Sequence, residues 1–285
     1  MNQFMYIFCL IVWGLNFIAV KIQGDSISLE VSLFYRTLIA LILFALLLLM
    51  KRKEINYRIS IYTIVGFGIF NFAISYLLLY YGTFYSSSAL VTLIFSMKSI
   101  TTPIMISFIN KKRLELKVYI GGILGVSGVL IILIPHFQEF KWTFVLGIVL
   151  SILGTLITSV GDVLSAYNNS KGIDPIIANF LGMLSAAIFI FFVILLKGEN
   201  FTLTNDVNYW MGLLYLSIFA SFVAWLFYLK LVKNIGAIKS SYMVVLFPAV
   251  GGIASIVMGE SSLNLYLVFG ILLSMYGAKL SLSKN

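Results

Sequence analysis

Two ionisable side chains stand inside otherwise apolar runs: Lys98 within residues 88–109 and Asp162 within residues 144–166. A charge at the centre of a membrane-spanning helix costs about 2.5–3.5 kcal/mol on insertion scales, so such residues turn toward a cavity or a partner rather than lipid. Lys98 is therefore either a buried lysine tied to backbone carbonyls or one carboxylate, or a cation aimed at the carboxylate of a bound solute. Asp162 is the only acidic residue well inside an apolar run. It either caps a helix end or pairs with a lysine, or it binds an amine, exchanges protons, or meets Lys98 in one conformation.

Other polar groups fall at compatible depth. Ser151, Thr155, Thr158, Ser159, Asp162 and Ser165 recur three or four apart, so they form one stripe along a helix. Facing lipid, that stripe would leave hydroxyls and a carboxylate without partners, so it should face the protein interior. Trp13 and Asn16, three apart, share a helical face, and Trp13 lies too deep for the interfacial aromatic belt that suits Trp142 and Trp210. Asn71, Ser75, Tyr76, Ser99, Asn179 and Tyr242 are further mid-depth groups, each an interhelical hydrogen bond or a ligand contact. The candidate binding set is thus Lys98, Asp162, Trp13, Asn16, Asn71, Tyr76, Ser99, Thr158, Asn179 and Tyr242. Tyr80, Tyr81, Tyr85 and Trp225 lie near the ends of apolar runs and read as belt residues. Arg36 and Lys21 read as snorkelling to head groups. Glu260 reads as a cap of the tenth helix or a partner of Arg36 or Lys21, and His136, beside Pro135, as a solvated loop histidine.

The elements that must position these groups are helices in lipid. Ten apolar stretches, near 3–20, 32–50, 60–80, 88–109, 118–134, 144–166, 175–196, 209–229, 238–258 and 264–281, fill almost all of the 285 residues. A hydrocarbon core of about 30 Å takes roughly 20 apolar residues in helical form. The runs are continuously apolar rather than alternating, which argues against a β-barrel. Hydrophobic residues make up 61% and charged residues 10%, which excludes the soluble globular class.

The net charge of +9 would suggest nucleic acid in a soluble chain, but its placement gives another account. With both termini in the cytoplasm, fourteen of the 19 Lys and Arg fall in inside loops, and only Lys21, Arg36, Lys141 and Lys197 fall outside. That is the positive-inside bias of a multi-pass protein of the cytoplasmic (inner) membrane, so no nucleic-acid partner is expected. The N-terminus lacks a basic n-region and a small-residue cleavage site, so the first span should remain as a helix. Cys9 is the only cysteine, which excludes an intramolecular disulfide.

The second half echoes the first. The third stretch ends in YYGTFYSSSALVTLIF and the eighth in LKLVKNIGAIKSSYMVVLF, and each is followed by an apolar helix, a polar break and a Gly-rich last helix. Two halves of five helices, 1–140 and 141–285, must run oppositely through the membrane because five is odd. Inverted repeats of this kind place a binding site near the bilayer midplane. Small residues at i and i+4, such as Gly121 and Gly125, Gly270 and Ser274, and Ala178, Gly182 and Ala186, let helices approach closely, within one chain or across a homodimer.

On WGLNFIAVK (13–21), FYRTLIALILF (34–44), NIGAIKSSYMVVLFPAVGGIASIVMGE (234–260) and LVFGILLSMYGAKL, the chain resembles the EamA-type branch of the drug/metabolite transporter superfamily. The first half departs from the pattern, with Pro103 about one turn late after Lys98, and Lys112 where an acidic residue is usual. The resemblance implies a ten-helix carrier of small organic metabolites, often amino acids or drugs and frequently outward, and it carries over no universal site.

Several function classes drop out. A Gly-rich phosphate loop with Lys-Ser/Thr is missing, so this chain should not hydrolyse ATP. One deep Asp, one His outside the spans and one Cys do not compose an intramembrane hydrolase. The expectation is an all-α integral membrane protein that is not an enzyme and has no metal or cofactor. Its partners would be the bilayer and a small-molecule substrate, with protons as candidate coupling ions. A channel or non-transporting scaffold is the other class to separate.

Overall fold

The computed structural model describes residues 1–51, 61–109, 115–135, 141–235, 240 and 243–282. Tyr242, His136 and Lys112 lie outside them. Helix α1 comes in two pieces, Asn2–Gly14 and Asn16–Gln23, bent by 42°. It is followed by α2 (Leu29–Lys51), α3 (Ile61–Tyr85), α4 (Ser88–Phe108), α5 (Leu116–Leu133), α6 (Trp142–Ser170), α7 (Pro175–Lys197) and α8 (Val207–Leu231). Two shorter apolar helices, α9 (Met243–Val257) and α10 (Leu265–Ser281), complete the described chain. Seven of these, α2 to α8, are long and apolar enough to cross a bilayer, and α1 makes an eighth if its pieces act as one span. The boundaries follow the apolar stretches to within a few residues, because in hydrocarbon a helix satisfies its backbone groups internally wherever the side chains stay apolar.

Sidedness is inverted relative to a water-soluble bundle. On α6, Leu146, Val149, Ile152, Leu153, Leu156 and Val160 are exposed, while Ser151, Thr155, Thr158 and Ser159 are buried. Water would reverse that assignment; lipid imposes it. The polar stripe does face inward, as its spacing predicts. Its hydroxyls are largely spent on their own helix: Ser151 donates to Gly147 O, Thr155 to Ser151 O, Thr158 to Gly154 O and Ser159 to Thr155 O.

Close helix approach is made by glycine within this one chain. The strongest pairing joins α5 to α10, and a Cβ added at Gly128 would lie 2.1 Å from Ser274 Oγ and 2.5 Å from Gly270 O. Ser274 Oγ donates to Gly125 O at 3.0 Å across the same seam. A second seam brings Gly68 of α3 against Gly182 of α7, and a third sets Gly154 and Gly161 of α6 on α3. The extensive packings α5–α10, α3–α6, α2–α7, α4–α9 and α1–α8 all join the first half of the sequence to the second. The two sequence halves are therefore interleaved and do not form two separate lobes.

Gly128→Ala should destabilise the protein by about 1–3 kcal/mol, the usual range for overpacking, read as a lower unfolding temperature in detergent. Gly122→Ala is the control: its methyl would meet only Ile100 Cγ2 at 3.5 Å, so stability should be unchanged or slightly raised.

Candidate functional site

Among the described residues the helices are irregular in five places. α1 breaks at Leu15, α4 at Met97 and α9 at Leu246. α3 widens to a π-helix over Ile69–Ile74, and α8 does so over Tyr215–Val223. All five border one cavity, of about 50 Å³ measured as space open to the centres of water molecules. Trp13, Asn16 and Phe17 flank the first break, Phe95 and Lys98 the second, and Val244 and Phe247 the third. Asn71 and Tyr76 come from the π-segment of α3 and the turn after it, and Trp225 and Tyr228 follow that of α8. Asp162 enters from α6.

Lys98 and Asp162 meet. Lys98 Nζ lies 3.1 Å from Asp162 Oδ2, with side chains 18% and 21% exposed. Asn71 Nδ2 donates to Asp162 Oδ1 at 3.1 Å, and Thr102 Oγ1 donates to Oδ2 at 3.4 Å. Lys98 Nζ also stands 5.1 Å from the centroid of the Phe95 ring, within cation–π range. Beside the pair, Thr101 and Ser159 hydroxyls are 2.6 Å apart, so α4 and α6 touch through polar groups along this whole stretch.

The opposite walls are aromatic. Trp13 packs edge-on to Trp225 (5.5 Å), Tyr228 (5.4 Å) and Phe247 (6.4 Å). Its indole N–H donates to Ala220 O at 2.9 Å, inside the π-segment of α8. Trp13 is thus both packing and cavity wall. Trp225, expected in the belt, is a buried member of this wall, and Tyr80 is also buried rather than interfacial.

Of the ten candidate residues, Trp13, Asn16, Asn71, Tyr76, Lys98 and Asp162 line the cavity. Three others do not. Ser99 donates to Ser96 O, Thr158 to Gly154 O and Asn179 Nδ2 to Pro175 O, all back onto their own helices. The tenth, Tyr242, is outside the described residues.

Arg36 departs furthest from expectation. It does not snorkel; it is 1% exposed, the largest fully buried side chain among the described residues. Nε donates to Ser221 Oγ (2.8 Å), one terminal nitrogen to Tyr80 Oη (3.3 Å) and the other to Asn16 Oδ1 (3.1 Å). Its guanidinium lies 4.4 Å from the centroid of the Tyr76 ring. Hydropathy places the start of this helix at residue 32. The observed start at Leu29 sets Arg36 almost two turns, about 10 Å, along α2.

Polar clasps close one end of the bundle. Glu260, just past α9, accepts from Ser88 N (2.8 Å) and Ser88 Oγ at the start of α4 and from Ser255 Oγ (3.0 Å), with Lys21 Nζ at 3.8 Å. Glu260 therefore caps α4 and not the tenth helix, because the start of α4 brings its free N–H and hydroxyl to the carboxylate, and of its two expected partners it takes Lys21. At the same end, Lys197 Nζ lies 2.5 Å from Glu30 Oε1 and donates to Tyr81 Oη at 2.8 Å, which ties α7, α2 and α3 together.

The chain matches the model of the EamA-like transporter family over residues 3–134 and 145–283. An uncharacterized transporter of Buchnera aphidicola subsp. Schizaphis graminum is 24% identical over 283 residues, covering 95% of this chain and 91% of the relative. An uncharacterized transporter of Archaeoglobus fulgidus is 25% identical over 268 residues, 93% of each. One solved crystal structure has the same fold, with a TM-score of 0.69 over 98% of this chain and 96% of its own, at 14% identity. Because the family model matches nearly the whole chain, the chain belongs to the EamA-like transporter family and is a multi-pass membrane protein.

Proposed function

We propose that this protein is a secondary active carrier of small amphipathic metabolites, amino acids foremost, working by alternating access and in the outward direction. The observation that carries the reading is the Lys98–Asp162 pair set in an aromatic-walled cavity where the five helix irregularities of the described residues converge. Broken helices at mid-depth are how carriers expose backbone and charge to a solute without exposing them to lipid. The aromatic walls suit an apolar body, and the ion pair suits a polar head that replaces one of its partners. At about 50 Å³ the cavity has room for a few waters, so the described state is a contracted one that widens to admit substrate.

The ten-span plan with inverted repeats over 1–140 and 141–285 is part of this proposal. Its support is the recurrence of irregularities five helices apart: π-segments in α3 and α8, and breaks in α4 and α9. Fourteen basic residues in the loops of one side support a cytoplasmic-membrane location with both termini inside. Because the halves interleave, the moving units draw helices from both. One unit is α2, α3, α6 and α7, the other α4, α5, α9 and α10, and they meet where Lys98 faces Asp162.

Proteoliposomes loaded with an amino-acid pool should show saturable uptake and counterflow of a labelled member. Flux that rises linearly without counterflow would indicate a channel, and no flux of any solute a scaffold. Lys98→Met should lower stability by about 1–3 kcal/mol, less than the cost of orphaning a fully buried charge because the pair is partly exposed. Lys98→Met combined with Asp162→Asn should recover most of that stability but not counterflow. Asp162→Asn alone removes the titratable group proposed to carry protons and should flatten the dependence of flux on pH; an unchanged pH profile takes Asp162 out of coupling.

A further inference from the structure

We infer that the Asn16–Tyr76 wall of the cavity is a carboxylate subsite, charged from behind by Arg36, which selects solutes with an anionic group over simple amines. The inference rests on the carrier reading and adds the sign of the charge recognised. Arg36 is buried and meets only neutral acceptors: the hydroxyls of Ser221 and Tyr80 and the amide oxygen of Asn16. Among the described residues no carboxylate lies within ion-pair distance of it. A guanidinium has five N–H donors in a fixed fork, and three are used here. A buried cation is costly unless a negative charge compensates it. The Lys98–Asp162 pair sums to zero, so the cavity and the layer directly behind it keep one net positive charge.

The wall passes that charge forward in a defined way. Arginine cannot accept a hydrogen bond, so the atom of Asn16 that faces it must be the amide oxygen. Its NH2 group is then free of Arg36; Asn16 is part of the cavity lining, and that group makes no hydrogen bond among the described residues. Tyr76 is also part of the lining; its ring lies against the guanidinium and its hydroxyl makes no hydrogen bond among the described residues. A solute at this wall meets N–H and O–H donors backed by a cation. A carboxylate is served by that arrangement, while an ammonium finds the Tyr76 hydroxyl oxygen as its acceptor and is repelled by the guanidinium behind it. The amine of a zwitterion is directed instead toward Asp162, on another wall of the same cavity.

The test uses Asn16→Asp, which is nearly isosteric and gives Arg36 a carboxylate partner, so the variant should fold and unfold at the same or a higher temperature than the wild type. Ligand-dependent thermal stabilisation of the detergent-purified full chain is measured with three probes sharing one aromatic body: 3-phenylpropionate, phenylalanine and 2-phenylethylamine. The wild type should bind the two carboxylates at least about tenfold more tightly than the amine. Asn16→Asp should weaken 3-phenylpropionate by about tenfold or more and strengthen the amine, because its own carboxylate now occupies the wall. Asn16→Ala, which removes the donors but keeps the cation, should fall between.

The same probe order in the wild type and Asn16→Asp overturns the subsite, as does amine binding to the wild type as tight as carboxylate binding, or no protection by any probe. Binding and flux fail separately. Saturable counterflow without the carboxylate preference retires the subsite and leaves the carrier; the carboxylate preference without flux does the reverse.

Discussion

Hydrocarbon offers no hydrogen bonds, and this constraint organises everything else in the molecule. An N–H or C=O released by a helix break can be tolerated only where protein or a water-filled hollow receives it. The breaks at Leu15, Met97 and Leu246 and the two π-segments therefore gather at one place instead of being scattered along the helices. The cavity and the irregular backbone are two views of a single requirement. Side chains follow suit: the indole N–H of Trp13 finds a carbonyl in the widened turn of α8, and Tyr215 Oη donates to Val12 O beside the break of α1.

Buried charge is handled in two different ways around that cavity. Lys98 and Asp162 neutralise each other and are further held by Asn71, Thr102 and Phe95. Such a pair is a weak source of stability, since desolvation offsets most of the attraction. It is well suited to exchange, because a solute bearing either charge can replace one partner at little net cost. Arg36 is held by hydroxyls, an amide and an aromatic face. Those groups fix its position and leave its charge in place, which is what the proposed carboxylate subsite draws on.

Much of this was legible in the sequence. Hydropathy located the helices because lipid demands long apolar runs, and the polar stripe of α6 gave its inward face through simple 3.6-residue spacing. Charge depth singled out Lys98 and Asp162 for the same reason: a cost of that size needs a structural explanation. The failures have a common physical cause. Ser99, Thr158 and Asn179 lie at the right depth, but short polar side chains in lipid most readily bond their own helix carbonyls, and spacing cannot show that. Arg36, Tyr80 and Trp225 were misplaced because hydropathy locates a helix end only to within a turn. One turn is the difference between head groups and core. Polar residues on other helices at the same level, Asn16 and Ser221, were the available signal that an arginine had somewhere to go.

Interleaving of the halves bears on which contacts can yield. The α5–α10 seam and the α3–α7 seam hold backbone against backbone through Gly128, Gly270, Gly68 and Gly182. Surfaces that close have no slack for sliding, because moving one helix along the other would bring side chains into the space that glycine leaves. The α4–α6 contact is of another kind. Around Lys98 it consists of an ion pair, a hydroxyl pair and a threonine–carboxylate bond, each of which water or a solute can replace without a steric penalty, while Phe144 and Ile148 of α6 belong to the apolar cluster around Leu90 and Leu93 of α4. On the alternating-access reading, separation of the two proposed units runs through Lys98 and Asp162, and the glycine seams travel as rigid parts within each unit. On the carrier reading, binding and opening are coupled by chemistry: a charged solute that takes one member of the pair also removes the ion pair between α4 and α6.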